Sequence, residues 1–362
     1  MSDEISSKLA CLRRAMSGAG LGAVRLRGTD WFSWLTAGGS NTVLLAAETG
    51  VAQALVTENG AWVLTDSIES ARMKQEQLSG DFDVFAPDWT DVSSTEEFVL
   101  AQAGGKPLAS DRPRPGEAPL PAELVRAKRT LLPEEVARYR LLGRDAAEAM
   151  RQALGEAAPD WTEARLAGAG AKALLERGIE PALVLAGGES RLEKYRHPVS
   201  TGAAIGGRAM LVFCGRRGGL FANLSRFVYF RAPSERERQL ADAAAQVEAA
   251  VLSASVEGAA LGDIFGKIVD AYSSAGYPGE HLRHHQGGTT GYLSREVVAR
   301  PGEKERLALS MALAWNPSLP GAKIEDTVLL GSGGLEVLTL DPRWPVREMA
   351  GRPRPDMWVR TS

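Results

Sequence analysis

The sequence is poor in the residue types that build metal knots and disulfide frameworks. Its 362 residues include two cysteines and four histidines. Cys11 and Cys214 are far apart in sequence, and their spacing is not typical of a metal site or of paired disulfides. No stretch approaches the roughly 20 apolar residues that cross a bilayer, and the first residues lack the apolar core of a secretory signal. We therefore expect a cytoplasmic protein with no membrane partner.

An excess of one charge sign is also missing. Lys and Arg together number 42 and Asp and Glu number 45, which gives a formal net charge of −3. Without a positive field over the whole chain, nothing would hold a polyanion non-specifically, so we expect no nucleic-acid partner. Hydrophobic residues (44%) and charged residues (24%) occur in the proportions of a folded protein. The length favours two domains, because single cores stop growing at roughly 250 to 300 residues.

The first part of the chain predicts a small α/β domain. A helical pattern over residues 5–18 is followed by short β patterns that turn residues separate. Residues 105–128 are rich in proline and glycine, which neither continue a helix nor fit a central strand. We place the boundary in this segment and predict domains at 1–125 and 126–362.

The second part mixes helical and β patterns. Acidic residues in the first turn, where they complement the helix dipole, mark helices that open at Pro133 and Trp161. Further helices are predicted at 234–256 and 261–276, and strands at 208–214, 219–230, 309–315, 325–330 and 335–339. The whole chain is therefore predicted to be α/β, in the broad sense that includes α+β.

Short motifs in the second part carry a family resemblance. Lys323-Ile324-Glu325-Asp326-Thr327 opens a β pattern that is followed by Leu338-Thr339, and Asn223-Leu224-Ser225-Arg226 lies upstream. With His197 and Asn316-Pro317, their order and spacing resemble the family of methionine aminopeptidase, aminopeptidase P, prolidase and creatinase. The resemblance implies a C-terminal pita-bread domain. Residues up to about 125 resemble the smaller N-terminal domain of creatinase and aminopeptidase P.

Most metal ligands of that family are replaced here. Its peptidases bind two metal ions through two aspartates, a histidine and two glutamates, because divalent ions that activate water need several anionic oxygens. The resemblance places the first aspartate at Phe213, or at Val212 if the preceding loop differs by one residue. Asn223 and Asn316 stand at the second aspartate and the first glutamate. Neutral amides and an apolar side chain would leave a metal pair without most of its neutralising charge.

Two positions keep the residue types of the family's ligands, His285 and Glu325. The family's further histidine, seven positions after the ligand, falls at Tyr292, and a tyrosine is a poor base at neutral pH. We expect no metal and no cofactor. A single divalent ion held by His285 and Glu325 is the alternative left open.

The replacements give the expected site a polar and cationic character. Within the family, creatinase cleaves a C–N bond of a small carboxylated substrate without metal. This resemblance implies that His197 is a general acid/base that Glu325 orients or balances in charge. His285 completes the catalytic set and is expected, with Gln286 and Asn316, to hold and polarise the scissile group. Guanidinium and ammonium groups bind carboxylates, and amides bind further polar atoms. The predicted substrate-binding residues are Arg196, Asn223, Arg226, His284, Gln286, Tyr292, Asn316 and Lys323, and the predicted substrate is a small anionic molecule.

Structural interpretations compete for several of these residues. Arg226 matches an arginine that the family uses for structural pairing. Cys214 lies in an apolar strand pattern and is expected to be a buried small side chain rather than a nucleophile, and Ser225 is expected to be structural. The glycine-rich segment 287–291 lacks the Gly-Lys-Ser/Thr signature of a phosphate loop.

The leading hypothesis is a metal-independent, creatinase-like hydrolase that cleaves a C–N bond of a carboxylated amide, amidine or dipeptide-like substrate. A lyase reaction in the same site is a variant. A second hypothesis is a non-catalytic binding protein with the same fold, and a third is a metal-dependent Xaa-Pro-type exopeptidase with displaced ligands. The resemblance also implies a homodimer.

Overall fold

The computed structural model describes residues 3–361, and the chain divides into two compact units between Glu135 and Val136. Each unit contains its own sheets and buried apolar clusters. The boundary that the sequence predicts after residue 125 lies upstream of this division, inside the helix Ala122–Arg129. Within residues 3–361, no helix is both long and apolar enough to cross a membrane.

The first unit is built around one mixed sheet. Its strands are β1 (Ala23–Gly28), β2 (Thr49–Thr57), β3 (Ala61–Leu64), β4 (Asp83–Phe85), β5 (Leu108–Ser110) and β6 (Ala118–Pro119). Its helices are α1 (Asp3–Ala19), α2 (Thr29–Leu35), α3 (Ser70–Arg72), α4 (Ser94–Ala103) and α5 (Ala122–Arg129), with a π-helical turn at Met73–Gln77. The strand order is β4-β3-β2-β1-β5-β6, in which β1 is antiparallel to β2 and parallel to β5. All six residues of β1 are buried, as expected for a central strand.

The second unit contains the longer helices and two larger sheets. Its helices are α6 (Pro133–Glu156, which belongs to this unit from Val136 onward), α7 (Glu163–Leu175), α8 (Glu189–Leu192), α9 (Glu235–Ala254) and α10 (Leu261–Ser274), with a 3₁₀ turn at Glu280–Leu282. Its strands are β7 (Glu180–Gly188), β8 (Arg208–Arg217), β9 (Leu220–Tyr229), β10 (Gly287–Thr290), β11 (Val297–Val298), β12 (Ala312–Trp315), β13 (Ser318–Leu319), β14 (Ala322–Lys323), β15 (Asp326–Gly331), β16 (Gly334–Val337), β17 (Val346–Met349), β18 (Arg352–Pro355) and β19 (Trp358–Val359). The main sheets have the orders β19-β9-β8-β7 and β11-β10-β12-β15-β16.

The two main sheets of the second unit meet at a single bridge. Ser225 of β9 and Glu325, just before β15, form an antiparallel bridge, in which the Ser225 N–H donates to the Glu325 carbonyl oxygen at 3.1 Å. Two segments that are 100 residues apart therefore lie side by side. The motifs around Asn223 and Glu325 are brought together as the sequence predicts.

Helices α9 and α10 cover one face of the sheet that contains β12 and β15. Leu313, Trp315 and Ile324 belong to the same apolar cluster as the buried side chains of these helices. Because successive side chains in a strand point to opposite faces, Ala314 lies on the face opposite to these helices, where it is also buried. The local sequence also fixes where α9 begins: the Ser234 side chain and Glu237 form a capping box. The predicted mixture of helices and sheets is confirmed.

Candidate functional site

The carboxylate of Glu325 lies at the junction of the two sheets and is fully engaged by neighbouring side chains. Its Oε2 accepts a hydrogen bond from Ser225 Oγ at 2.7 Å and lies 2.8 Å from Lys323 Nζ. Its Oε1 accepts from Arg295 Nη2 at 2.7 Å. Burial opposes ionisation, but the charges of Lys323 and Arg295 outweigh it, so the pKa of Glu325 lies well below its ordinary value of 4.5. Glu325 is therefore an ionised carboxylate neutralised by two cations of the protein.

Arg295 is the residue that sequence reasoning missed. It lies 30 positions before Glu325 and outside every motif that carries the family resemblance. Its guanidinium nevertheless makes one of the two ionic contacts of the Glu325 carboxylate. The sequence indicates such a residue only indirectly. If Glu325 is buried beside Lys323, one carboxylate oxygen still lacks a hydrogen-bond donor, and a second donor from elsewhere in the chain is expected.

The register of β8 and β9 shows whether Phe213 or Val212 occupies the position of the family's first aspartate. Asn223 is opposite Cys214, and Ser225 is opposite Val212. Side chains of directly opposed residues share one face, so Val212 lies on the face of Asn223 and Ser225, and Phe213 lies on the other. A Cβ on Gly170 of α7 would lie 2.7 Å from the Phe213 ring, which places that ring under α7. The assignment to Phe213 is therefore corrected to Val212.

Two buried asparagines next to this junction have side-chain oxygens without hydrogen-bond partners. Asn223 Nδ2 donates to Thr290 Oγ1 at 3.1 Å, and the Asn223 backbone N–H donates to Thr327 Oγ1 at 2.8 Å. Asn316 is 2% exposed, and its backbone N–H donates to the Gln286 carbonyl oxygen at 3.2 Å. The Oδ1 atoms of both asparagines have no hydrogen-bond partner among the described residues. Each buried oxygen is thus an acceptor available to an N–H donor of a ligand.

Three of the four histidines form a cluster. The Nε2 atoms of His197 and His284 are 2.7 Å apart, which fits one donor and one acceptor. The rings of His284 and His285 stack with their centroids 4.7 Å apart. Burial is the first cause that lowers the pKa of all three, to about 2 for His284 and to about 4 for His285. Lys323 and Arg295 add to the effect, so the imidazoles are neutral at neutral pH.

Gln286 holds the loop that bears two of these histidines. Its Nε2 donates to the carbonyl oxygens of His284 at 2.6 Å and His281 at 3.3 Å, and its Oε1 accepts from the Tyr272 hydroxyl at 2.9 Å. These contacts use both ends of the buried amide. We infer that Gln286 positions the loop, in place of the substrate contact expected from the sequence.

Arg226 is likewise committed to the protein. Its guanidinium lies 2.6 Å from Asp326 Oδ1 and donates to the Thr339 carbonyl oxygen at 2.8 Å. It also donates to the carbonyl oxygens of Ser225 and Glu325, at 2.9 and 3.1 Å. Structural pairing therefore accounts for Arg226 better than substrate binding does.

Tyr292 is buried in the second unit. Its side chain is 1% exposed, and its hydroxyl lies 3.5 Å from Arg138 Nη2. The Tyr292 backbone N–H donates to Glu296 Oε1 at 3.1 Å. These contacts give Tyr292 no role in proton transfer, which is the role that a histidine would have at this position.

Arg196 and Lys323 line a narrow cleft together. Its other walls include Ser318 and the apolar side chains of Met210 and Phe227. Arg196 forms an ion pair with Glu280, but its buried Nη1 has no partner among the described residues. The same holds for Ser318 Oγ. The cleft thus combines two cations and an unpaired hydroxyl with apolar walls.

A family comparison identifies the second unit. The model of metallopeptidase family M24 matches residues 137–332, more than half of the chain. The chain belongs to metallopeptidase family M24. Peptidases hydrolyse C–N peptide bonds, which agrees with the predicted enzyme class. No curated protein sequence matches the chain significantly.

Solved structures agree with M24 membership. The dipeptidase PepE from Mycobacterium ulcerans has a TM-score of 0.77 at 19% identity, with 98% of each chain covered. An Xaa-Pro dipeptidase from Bacillus anthracis has a TM-score of 0.78 at 15% identity, with 98% of this chain and 99% of that chain covered. An X-Pro aminopeptidase from Thermotoga maritima has a TM-score of 0.75 at 15% identity, with 96% and 99% covered. At these identities the likeness shows the fold, and it confirms the predicted two-domain pita-bread architecture.

The metal pair that M24 membership implies does not fit the residues of this chain. Val212, Asn223 and Asn316 supply no anionic oxygen, whereas hard divalent ions need several. The carboxylate of Glu325 already contacts Lys323, Arg295 and Ser225 on its two oxygens. An ion at this carboxylate would have to displace two buried cations, so we derive no catalytic step through a metal pair.

Proposed function

We propose that this M24 protein hydrolyses a C–N bond in a small carboxylated molecule without the metal pair of its family. The bond would belong to an amide, an amidine or a dipeptide-like group. The proposal rests on one observation: the Glu325 carboxylate forms ion pairs with both Lys323 and Arg295. One carboxylate and two cations leave this buried junction with a net positive charge, which favours an anion over further cations.

The cleft beside the junction supports the substrate class. Arg196 Nη1 and Ser318 Oγ are buried donors without partners, and leaving such groups unpaired costs about 1–3 kcal/mol each. A carboxylate that accepted from both groups would remove that cost. With about 10 Å³ of free volume, the cleft holds no more than one small polar group, so the rest of the substrate would lie outside it. Lys323 would face the same anion from the junction side.

The histidine cluster supports the proton transfers. His197 is exposed and its imidazole is neutral, so it can take a proton from a water molecule whose oxygen adds to the carbon of the C–N bond. The resulting imidazolium can return that proton to the departing nitrogen. The free Oδ1 atoms of Asn223 and Asn316 suit N–H groups of an amide or amidine substrate. Water is consumed, and a nitrogen-containing fragment is released.

A substrate screen in the presence of a chelator tests the proposal. Full-length protein is incubated with carboxylated amides, amidines and dipeptides, and release of ammonia or amine is measured. We expect hydrolysis to persist with chelator and to fall by about 10²–10⁴-fold in His197→Ala, the usual contribution of a general acid/base. Hydrolysis that requires added Mn²⁺ or Co²⁺ would contradict the metal-independent reaction.

A further inference from the structure

We propose that His197, His284 and His285 form a site for one divalent transition-metal ion of the Zn²⁺ class. This site shares one position, His285, with the M24 ligand set, and its other two ligands lie outside that set. It departs from the expectation that the chain binds no metal. The histidine cluster would thus have a second use, separate from the M24 metal pair that the chain does not fit.

The spacing of the three imidazoles suits a single ion. One ring nitrogen from each histidine lies within 4.8 Å of the others, and the closest pair, His197 Nε2 and His284 Nε2, is 2.7 Å apart. Zn²⁺ binds imidazole nitrogen at about 2.0–2.1 Å, so two ligands of a tetrahedral ion are about 3.3 Å apart. The observed separations bracket that value, and the ion needs only a small opening of the closest pair.

The protonation state of the ligands also suits a metal ion. A histidine must be neutral to bind a metal, and protons compete with the ion when it is not. The 2.7 Å contact between His197 Nε2 and His284 Nε2 needs at least one unprotonated nitrogen, so at least one of the two rings can already bind an ion there. The other Nε2 must pass its proton to the Nδ1 of its own ring before both nitrogens can bind one ion.

The same surroundings determine which ions bind. The cluster offers nitrogen ligands only, and Lys323 and Arg295 oppose a positive charge nearby. Ions that need anionic oxygens, such as Mg²⁺, Ca²⁺ and Mn²⁺, gain little from such a site. Zn²⁺, Co²⁺, Ni²⁺ and Cu²⁺ bind imidazole well enough to offset the repulsion. We therefore expect moderate affinity with strong selectivity for the second group.

Access and freedom of movement are both available. His197 and His285 are exposed, which gives an ion a path from solvent, and His284 forms the buried side of the cluster. The Nδ1 atom of His284 has no hydrogen-bond partner among the described residues. Because no hydrogen bond at Nδ1 fixes the ring from behind, it can rotate enough to widen the closest pair. The remaining coordination positions would be filled by water.

Binding has a consequence that rests on the proposed function. An ion on His197 removes the lone pair that would accept the proton from water. Zn²⁺ would then inhibit the hydrolysis, and a chelator would restore it. The cluster would act as an inhibitory metal site built on the general base.

Cobalt absorption tests the site without any need for turnover. Full-length protein is treated with chelator, dialysed and titrated with Co²⁺, whose visible bands are intense in tetrahedral nitrogen sites, and Zn²⁺ is then added as competitor. We expect one Co²⁺ per chain, displacement by Zn²⁺, and no displacement by Mg²⁺. His197→Ala, His284→Ala and His285→Ala should each weaken binding by at least about 10–100-fold, comparable to the loss of a group that supports a metal ligand.

The fourth histidine provides the matched control. His281 lies in the same loop region but outside the cluster, so His281→Ala should bind Co²⁺ as the parent protein does. Thermal melting of each metal-free variant shows whether it is folded. Co²⁺ bands that persist in all three cluster variants would overturn the proposal. So would bands that disappear in Glu325→Gln but remain in the three cluster variants. Zn²⁺ that binds and activates hydrolysis would instead contradict the metal-independent function and leave the site in place.

Discussion

Lys323 Nζ lies 2.8 Å from Glu325 Oε2, and the two side chains are only 4% and 3% exposed. Glu325 stands where the M24 peptidases, by the resemblance, have a glutamate that binds the metal ions. Here Lys323 and Arg295 supply its positive charge from within the chain. The Glu325 carboxylate therefore stays buried and ionised without a metal ion. Two cations against one carboxylate leave the junction with an excess of positive charge, which favours an anionic ligand.

Removing the lysine should therefore destabilise the second unit. Lys323→Ala leaves Glu325 buried with one cation instead of two, and breaking a buried pair costs about 3–5 kcal/mol. Because Arg295 and Ser225 stay in contact with the carboxylate, we expect the lower end, about 3 kcal/mol, in urea unfolding. Arg140→Ala is the control, since the Arg140–Glu336 pair is exposed and should contribute about 1 kcal/mol or less. Equal losses in both variants would contradict the importance of the buried pair.

The same pair predicts how stability depends on pH. The pKa of Glu325 is lower in the folded protein than its ordinary 4.5, so ionised Glu325 stabilises the fold. That contribution is complete above pH 4.5 and is lost as the pH falls toward the folded-state pKa. The difference in unfolding free energy between the parent protein and Glu325→Gln should thus be large at neutral pH and shrink below pH 4.5. A difference that does not change with pH would show that Glu325 is not held ionised by its neighbours.

The orientation of Phe213 can be tested through α7. A Cβ at Gly170 would meet the Phe213 ring at 2.7 Å, so Gly170→Ala should cost about 1–3 kcal/mol through overpacking. Phe213→Leu in the same chain should recover part of that loss, because it removes the ring atoms involved. Gly168→Ala is the matched control: it lies in the same helix with no atom within 4 Å, and should stabilise by about 0.5–1 kcal/mol. Failure of the double variant to recover stability would place Phe213 elsewhere.

The hydrogen bonds of Gln286 to the backbone of His281 and His284 should help to hold the histidine cluster in place. Gln286→Leu removes the donor to the carbonyl oxygens of His281 and His284, which should cost about 1–3 kcal/mol. The Tyr272 hydroxyl also loses the amide oxygen but keeps its hydrogen bonds with the Ser318 backbone. It should also shift the imidazole NMR signals of His284 and His285, whose backbone would be less constrained. Gln239→Leu, at an exposed position of α9, should change neither stability nor these signals. Unchanged imidazole signals in Gln286→Leu would separate the amide from the cluster.

Much of the fold follows from local patterns in the sequence. The helix predicted at 234–256 is observed at Glu235–Ala254, and the strand predicted at 219–230 is observed at Leu220–Tyr229. Ser234 and Glu237 mark the start of the helix through a short-range capping box. Such signals depend on residues a few positions apart. They can be recognised without knowledge of the tertiary structure.

The features that could not be predicted depend on register and on distant contacts. A shift of one residue turns a strand side chain to the opposite face, so only the pairing of Val212 with Ser225 distinguishes Val212 from Phe213. Arg295 reaches Glu325 across 30 residues, and His197 meets His284 across 87. Neither pair forms a sequence pattern. Their proximity follows from the meeting of two sheets.

A crystal grown with millimolar Mn²⁺ and measured for anomalous scattering would show whether metal ions or the protein's own cations neutralise Glu325. Mn²⁺ is a hard ion that suits the M24 carboxylate set and should not bind the histidine cluster. We expect no Mn²⁺ peak at Glu325, with Lys323 Nζ and Arg295 still in contact with its carboxylate. A pair of Mn²⁺ peaks bridged by Glu325, with Lys323 and Arg295 turned away, would contradict this expectation.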